Sequence, residues 1–170
     1  MARESIVLFG EGKTEAIFLD HVKTVYEAHR HLKIKIGMGQ GKSPKDVAAR
    51  LINTQLRVGN YDRSLLLIDS DIEHDLTTKY LKLHNITLVL STPKCIEGLM
   101  LQILDELPKG AAHSASKDLK SAFMRFLNTT EAGYARKLAD KCPILFSKEL
   151  LEAKRRHIPE LNTILEFLNV

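Results

Sequence analysis

The chain has 170 residues, 44% of them hydrophobic and 27% charged, which is the balance of one folded globular domain and excludes a disordered chain. No apolar run approaches the roughly 20 residues that cross a bilayer, and the first residues lead into a strand-like segment without signal-peptide organisation, so we expect a cytoplasmic location and no membrane partner. Residues 1–108 hold 14 Lys and Arg against 14 Asp and Glu, whereas residues 109–170 hold 11 against 7 and account for the whole net charge of +4.

Strand-like apolar runs alternate with helical patterns through the first two thirds of the chain. In chain order the predicted elements are strand 5–9, helix 14–28, strand 31–36, helix 45–57, strand 64–68, helix 75–84, strand 86–90 and a helix from Ile96. The third strand, Ser64-Leu-Leu-Leu-Ile68, is almost wholly apolar, as expected of a central parallel strand covered on both faces. The alternation predicts an α/β, Rossmann-like fold: a four-stranded parallel sheet with helices on both faces.

Only helical patterns follow the loop at residues 108–113. They cover residues 115–128, 131–140 and 147–168, the last broken at Pro159. We therefore predict a core over residues 1–108 and a basic helical extension over residues 109–170 that packs on it. Its positive charge suits a phosphate backbone, although lysines and arginines also simply solvate helices. The two cysteines, Cys95 and Cys142, stand too far apart to indicate a disulfide framework or a zinc site.

Acidic residues follow two of the predicted strands. Glu11 comes after the first strand, and Asp69 and Asp71 come after the third. Ligands of open parallel sheets bind at the carboxyl ends of the strands, and neighbouring strands lie about 4.8 Å apart, so these carboxylates are expected to share one or two metal ions. Such oxygen ligands favour Mg²⁺, with Mn²⁺ as a substitute. A strand-end aspartate can also cap a helix or close a turn, which explains each acid separately but not their convergence.

Two motifs at these positions resemble a known domain. Glu11-Gly12-Lys13-Thr14-Glu15 after the first strand, with Asp69-Ser70-Asp71 after the third, resembles the Toprim domain shared by topoisomerases, bacterial primases and OLD-type nucleases. The later stretch Pro93-Lys94-Cys95-Ile96-Glu97 looks like a loosened form of the Pro-Cys-Phe-Glu type of sequence in the stand-alone RloB-like group. The resemblance covers roughly residues 4 to 106 by motif order.

The resemblance implies a Toprim-like fold and an Mg²⁺-dependent nuclease that hydrolyses phosphodiester bonds in nucleic acid, in a phage-defence or DNA-repair setting. We expect DNA rather than RNA as the nucleic-acid partner. It implies a metal site formed by Glu11, Glu15, Asp69, Asp71 and Glu97. A metal-activated water would attack the phosphate, so no nucleophilic side chain is needed. Lys13 is a candidate for contacting a phosphate oxygen, and the spacing does not choose between Lys117 and Lys120 as the lysine that stabilises the transition state. The resemblance also implies an ATPase as protein partner.

A glycine-rich loop, Gly37-Met-Gly39-Gln-Gly41-Lys42-Ser43, precedes the second helix and imitates a phosphate-binding loop. A P-loop NTPase requires a glycine where this chain has Ile36, which disfavours that function. A weaker role, binding one backbone phosphate at the helix N-terminus, stays open beside that of a flexible loop. The candidate phosphate-binding residues are Gly39, Gly41, Lys42, Ser43 and Lys94.

Two alternatives within the Toprim group also stay open. One is a non-catalytic binding subunit of an ATPase-containing complex. The other is a small maturase of structured RNA or a primase-like fragment. The latter relatives usually carry a glycine soon after the paired aspartates, whereas Asp71 is followed here by Ile72-Glu73-His74-Asp75, which disfavours them.

Overall fold

One sheet of four parallel strands forms the middle of the molecule. The computed structural model describes residues 3–40, 43–58 and 61–169, with residues 55–58 described by their backbone alone. The strands are β1 (Glu4–Gly10), β2 (Leu32–Met38), β3 (Arg63–Asp69) and β4 (Ile86–Ser91). They lie in the order β2-β1-β3-β4, and every neighbouring pair is parallel. The predicted α/β fold with a four-stranded parallel sheet is therefore confirmed.

Eight α-helices occur within the described residues. They are α1 (Lys13–Val25), α2 (Pro44–Val58), α3 (Thr78–Leu83), α4 (Ile96–Ile103), α5 (Ser116–Phe126), α6 (Tyr134–Leu145), α7 (Lys148–Arg155) and α8 (Pro159–Phe167). Short 3₁₀ turns lie at Ala28–Arg30, Ala111–His113 and Glu131–Gly133. Within this part of the chain, no helix is both long and apolar enough to cross a membrane.

The helix boundaries differ from the predicted ones where local turn chemistry decides them. Helix α1 ends three residues early, and Glu27 just beyond it adopts a left-handed conformation with φ of 51° that a helix cannot continue. Helix α3 begins later than predicted, because the Thr77 side chain accepts a hydrogen bond from the backbone N–H three residues on and caps the helix there. Helix α6 continues to Leu145, with Pro143 tolerated close to its end.

The two faces of the sheet are covered by different helices, as the alternation of strand side chains requires. One face packs Ile6, Leu8, Leu65 and Leu67 against α1, α4 and the C-terminal helices. The opposite face packs Val7, Phe9, Leu66 and Ile68 against α2 and the segment around α3. Both faces of β1 and β3 are thus buried, which accounts for the almost wholly apolar sequences of these two strands.

The helices beyond residue 108 belong to the larger of these two cores. Phe123, Leu138, Phe146 and Leu161 are completely buried in the same cluster as the side chains of β1 and β3. The ring of Phe146 meets that of Phe18 on α1 edge to face, with centroids 5.5 Å apart. The C-terminal helices therefore cover the sheet directly, and they can contribute side chains to its carboxyl edge.

Candidate functional site

The candidate site lies where the direction of the strand order reverses. The chain passes from β1 to β2 on one side of the sheet, and from β3 to β4 on the other. The carboxyl ends of β1 and β3 therefore flank the crevice in which open α/β sheets bind their ligands. Glu11 follows β1 directly, and its backbone N–H donates to the carbonyl oxygen of Leu67 on β3 at 2.9 Å. Asp69 is the last residue of β3.

Glu11 and Asp69 meet at this crevice. The Oε2 atom of Glu11 accepts a hydrogen bond from the backbone N–H of Asp69 at 3.0 Å. Burial raises the pKa of the Glu11 carboxyl above its usual range, the hydrogen bond from Asp69 opposes this shift, and the negative charge of the Asp69 carboxylate adds to it. The Glu11 carboxylate therefore reaches the backbone at the end of β3, which capping of separate helices would not require.

Asp69 is the most tightly held of these acids. Its side chain is 8% exposed, and Oδ1 accepts hydrogen bonds from the hydroxyl of Ser91 at 3.1 Å and the backbone N–H of Ile96 at 3.0 Å. Its Oδ2 atom lies 3.5 Å from Nζ of Lys120. Burial raises the pKa of Asp69, while the ammonium group of Lys120 and these two hydrogen bonds act in the opposite direction. The tip of β4, the start of α4 and the helix α5 thus fix one carboxylate together.

Two further glutamates lie buried beside Asp69. Glu15 is 5% exposed, and its Oε2 atom accepts a hydrogen bond from the backbone N–H of Gly12 at 2.9 Å. Burial raises the pKa of Glu15 to about 8, and the charges of Asp69 and Glu97 contribute. Glu97 is 3% exposed; its Oε1 accepts from the hydroxyl of Tyr134 at 3.1 Å, whereas its Oε2 is buried without a hydrogen-bond partner among the described residues.

Lys120 supplies positive charge to this cluster of acids. Burial by itself lowers the pKa of Lys120, but the nearby charges of Glu97, Asp69 and Glu15 outweigh it, so the pKa is raised and the ammonium form is favoured. Lys117, one turn earlier on α5, lines the neighbouring cavity together with Glu97. The sequence did not distinguish these two lysines. In the structure it is Lys120 whose ammonium group lies next to a carboxylate of the cluster, that of Asp69.

Asp71, Lys13 and Lys94 lie at the rim of the site. Asp71 is exposed, and its carboxylate accepts a hydrogen bond from the hydroxyl of Ser116 at the start of α5. The carbonyl oxygen of Lys94 accepts from the backbone N–H groups of Ser70 and Asp71 at 3.0 and 3.1 Å, and Lys94 itself adopts a left-handed conformation. Lys13 is exposed at the first residue of α1. Asp71 is thus turned towards α5, although its charge still raises the pKa of Glu11 and of Asp69.

The glycine-rich loop is built into the fold at the residues that the structure describes. The backbone N–H of Gly39 donates to the carbonyl of the last residue of β1 at 2.9 Å, and a Cβ atom at this position would lie 2.6 Å from a valine side chain of α2. Ser43 caps α2, because its hydroxyl donates to the carboxylate of Asp46 at 2.7 Å and accepts from the backbone N–H of Asp46 at 3.3 Å. Gly41 and Lys42 lie outside the described residues. Close packing thus explains why residue 39 is a glycine, and capping of α2 explains why residue 43 is a serine.

A cavity of about 390 Å³ opens beside the acids, between the start of α1 and helices α4, α5 and α6. Glu97 and Lys120 form the wall that it shares with the acidic cluster. Its remaining wall includes Thr14, Lys117 and Tyr134. Carboxylates, two ammonium groups and an aromatic ring therefore border one concave space.

Two residues of this site, Ser91 and Tyr134, were not predicted from the sequence. Ser91 ends β4 at the same edge of the sheet as Asp69, so the rule that pointed to strand ends could also have selected it. Tyr134 begins α6, 37 residues beyond Glu97, and no local motif marks it. It reaches Glu97 only because α6 packs against α1, which is a tertiary contact that periodicity does not specify.

The chemistry of these residues suits a hard divalent cation. Oxygen ligands are what Mg²⁺ prefers, and Glu11, Glu15, Asp69 and Glu97 offer carboxylate oxygens, although burial raises the pKa of each of them and so favours the neutral form. The unpartnered Oε2 of Glu97 is a free ligand atom in the same region. Among the described residues, however, no group of three or more His, Cys, Asp or Glu side chains is arranged closely enough to hold a metal ion.

No protein-family model matches the chain, and the chain matches no curated protein and no solved structure.

Proposed function

We propose that this protein is a Toprim-type, Mg²⁺-dependent nuclease that hydrolyses phosphodiester bonds in nucleic acid, with DNA rather than RNA as the expected partner. The observation that carries the proposal is the hydrogen bond from the backbone N–H of Asp69 to the carboxylate of Glu11 at 3.0 Å. It joins the tips of β1 and β3 at the switch point of the sheet, where α/β proteins bind ligands. Toprim motif order along the chain supports the same conclusion.

The residues that would hold the metal are Glu11, Asp69, Glu15 and Glu97. When bound, Mg²⁺ supplies a Lewis acid that lowers the pKa of water and neutralises charge developing on the phosphate. Several buried carboxylates repel one another, and a cation relieves this repulsion. The Oε2 atom of Glu97, which has no hydrogen-bond partner among the described residues, supports this use.

The chain's own residues have separate tasks in this proposal. Ser91 and the backbone N–H of Ile96 hold the Asp69 carboxylate in one orientation, so that a ligand atom stays fixed. Lys120, with Nζ 3.5 Å from Asp69 Oδ2, offers positive charge where a phosphate oxygen would approach the acids. The excess of basic over acidic residues in residues 109–170 favours attraction of a nucleic-acid backbone towards the helices that cover this edge.

The test is the substitution Asp69→Asn, measured as cleavage of plasmid, single-stranded DNA and tRNA in Mg²⁺, in Mn²⁺ and in chelator. Asparagine keeps an acceptor for Ser91 and Ile96, so the fold should persist, whereas alanine would leave the buried backbone N–H of Ile96 without its acceptor; the Ser91 hydroxyl could still donate to the carbonyl of Ile68. We expect Mg²⁺-dependent cleavage to fall by at least about a hundredfold, since even residues that only support a metal ligand cost about 10–100-fold.

The matched control is Asp105→Asn, which removes a surface carboxylate paired with Lys154 and leaves the crevice untouched. It should cleave like the wild type. Cleavage by Asp69→Asn at the wild-type rate would end the nuclease proposal.

A non-catalytic role in nucleic-acid binding is the second candidate, and a specific observation favours it. Lys120 already balances the charge of Asp69, and the described residues contain no preformed group of three metal-binding side chains. In that case the acids and Lys120 form a buried charge network that stabilises the edge of the sheet, and the protein serves as the binding subunit of an ATPase-containing complex. Retained binding to nucleic acid with no cleavage in either metal would favour this candidate.

A further inference from the structure

The cavity between the start of α1 and helices α4, α5 and α6 is the second functional feature of this edge. It measures about 390 Å³, which lies within the usual range of about 300–1,000 Å³ for small-molecule sites. Its size suits one nucleotide unit and not a stretch of duplex. The buried side chain of Glu97, 3% exposed and with Oε2 unpartnered, borders it. A buried carboxylate with one oxygen unpaired, which costs free energy, thus belongs to a residue of the cavity wall.

The lining provides each kind of contact that a nucleotide needs, beside the two carboxylates of Glu97 and Glu131. Lys117 and Lys120 stand on one helix face three residues apart and present two ammonium groups that can neutralise a phosphate. The aromatic ring of Tyr134 and the thioether chain of Met124 provide an apolar wall for a base or sugar. The hydroxyl of Ser121 adds a hydrogen-bonding group at the same cavity.

The cavity also adjoins the acids. Lys120 borders it and at the same time has its Nζ atom 3.5 Å from Asp69 Oδ2, and Glu97 borders it while its charge acts on Asp69. A nucleotide in the cavity would therefore have its phosphodiester linkage directed to the crevice between β1 and β3. Bases of a double helix are stacked inside the duplex, so only an unpaired or extruded nucleotide can enter such a space.

We infer that this cavity binds one unpaired nucleotide of the substrate strand, next to the phosphodiester bond that is cut. The inference rests on the proposed function and gives it a substrate class: single-stranded or locally unpaired nucleic acid. Lys117 and Lys120 contact the phosphate, and Tyr134 and Met124 contact the base or sugar.

The experiment measures binding, not cleavage. A fluorescein-labelled single strand of oligodeoxythymidylate, and the same strand annealed to its complement, are titrated with the full chain in Ca²⁺ and followed by fluorescence anisotropy. Ser121→Trp fills the cavity from an exposed position on α5. We expect the wild type to prefer the single strand, and Ser121→Trp to bind it about tenfold more weakly, the scale of losing one stacked base.

Ala153→Trp is the matched control, because it adds the same ring at an exposed position of α7 that does not line the cavity. It should bind like the wild type. If Ser121→Trp disturbs folding by circular dichroism, Lys117→Ala replaces it and should weaken single-strand binding too. Equal affinity of the wild type for single strand and duplex, or unchanged binding by the cavity variants, would overturn the inference.

The two proposals fail separately. Cavity-dependent binding of single strands without any metal-dependent cleavage would leave the nucleotide site in place and remove the nuclease. Metal-dependent cleavage that is lost in Asp69→Asn but unchanged in Ser121→Trp, with unchanged binding, would retain the nuclease and remove the nucleotide site.

Discussion

The hydroxyl of Tyr134 holds one oxygen of the Glu97 carboxylate. It donates to Oε1 at 3.1 Å and is itself hydrogen-bonded to Thr14, while Oε2 stays without a partner. A carboxylate held at one oxygen presents the other in a fixed direction, which is how outer residues orient metal ligands. Tyr134 is therefore a positioning residue for Glu97.

Tyr134→Phe tests this role. The ring keeps its edge-to-face contact with Phe123, whose centroid is 6.2 Å away, so the packing of α6 is preserved. We expect the Mg²⁺ concentration for half-maximal cleavage to rise about tenfold, with cleavage at saturating Mg²⁺ much less affected. The measurement is cleavage rate against Mg²⁺ concentration. Tyr80→Phe, on α3 beneath the opposite face of the sheet, is the control. An unchanged Mg²⁺ curve in Tyr134→Phe would show that the hydroxyl does not position a ligand.

At the scale of elements, helix α4 rests directly on the loop that precedes it. A Cβ atom on Gly98 would lie 2.1 Å from the carbonyl oxygen of Pro93, a backbone atom that cannot move aside cheaply. The same loop carries Lys94, which holds the backbone after β3, and the start of α4 donates its first N–H to Asp69. The close approach of α4 to this loop thus helps to fix the acids.

Gly98→Ala should therefore destabilise the protein by about 1–3 kcal/mol, the usual cost of forcing atoms into a filled space. The measurement is the free energy of unfolding in urea. Gly133→Ala is the matched control, since its Cβ would approach only the side-chain oxygen of Thr129, at 3.1 Å, and its backbone is in the right-handed region. We expect the control to change stability by less than about 0.5 kcal/mol. Equal effects at the two glycines would contradict the close packing of α4 on the loop.

Features encoded in local sequence patterns could be predicted from the sequence, whereas features that depend on tertiary packing could not. The four strands were predictable, because buried apolar runs such as Ser64 to Ile68 in β3 and the apolar–basic alternation in β2 are strong local signals. So was the approach of Glu11 to the end of β3, which follows from strand ends meeting at one edge, whereas Asp71 is turned towards Ser116. Lys120 could not be distinguished from Lys117, because residues three apart share a helix face and only the packing of α5 selects one.

At the scale of the whole molecule, the candidate site at the carboxyl edge of the sheet combines residues of the α/β core with residues of the C-terminal helices. Residues 4–106 supply the acids, while α5 and α6 supply Lys120 and Tyr134. The same helices bury Phe123, Leu138 and Cys142 in the core that covers β1 and β3. Burial and chemistry are therefore coupled: the helices that cover the sheet also carry the lysine and the tyrosine of the site.

This coupling predicts that residues 1–108 alone do not fold. Deleting residues 109–170 removes the completely buried side chains of Phe123, Phe146 and Leu161 and uncovers apolar side chains on β1, β3 and α1. Each large buried side chain contributes about 1.5–3 kcal/mol, and a domain is stable by only about 5–15 kcal/mol, so these losses together approach the whole free energy of unfolding. The fragment should give no cooperative urea transition and a poorly dispersed amide spectrum, in contrast to the full chain. A cooperative transition with a dispersed spectrum would instead establish an independent unit over residues 1–108, with Lys120 and Tyr134 joined to it from outside.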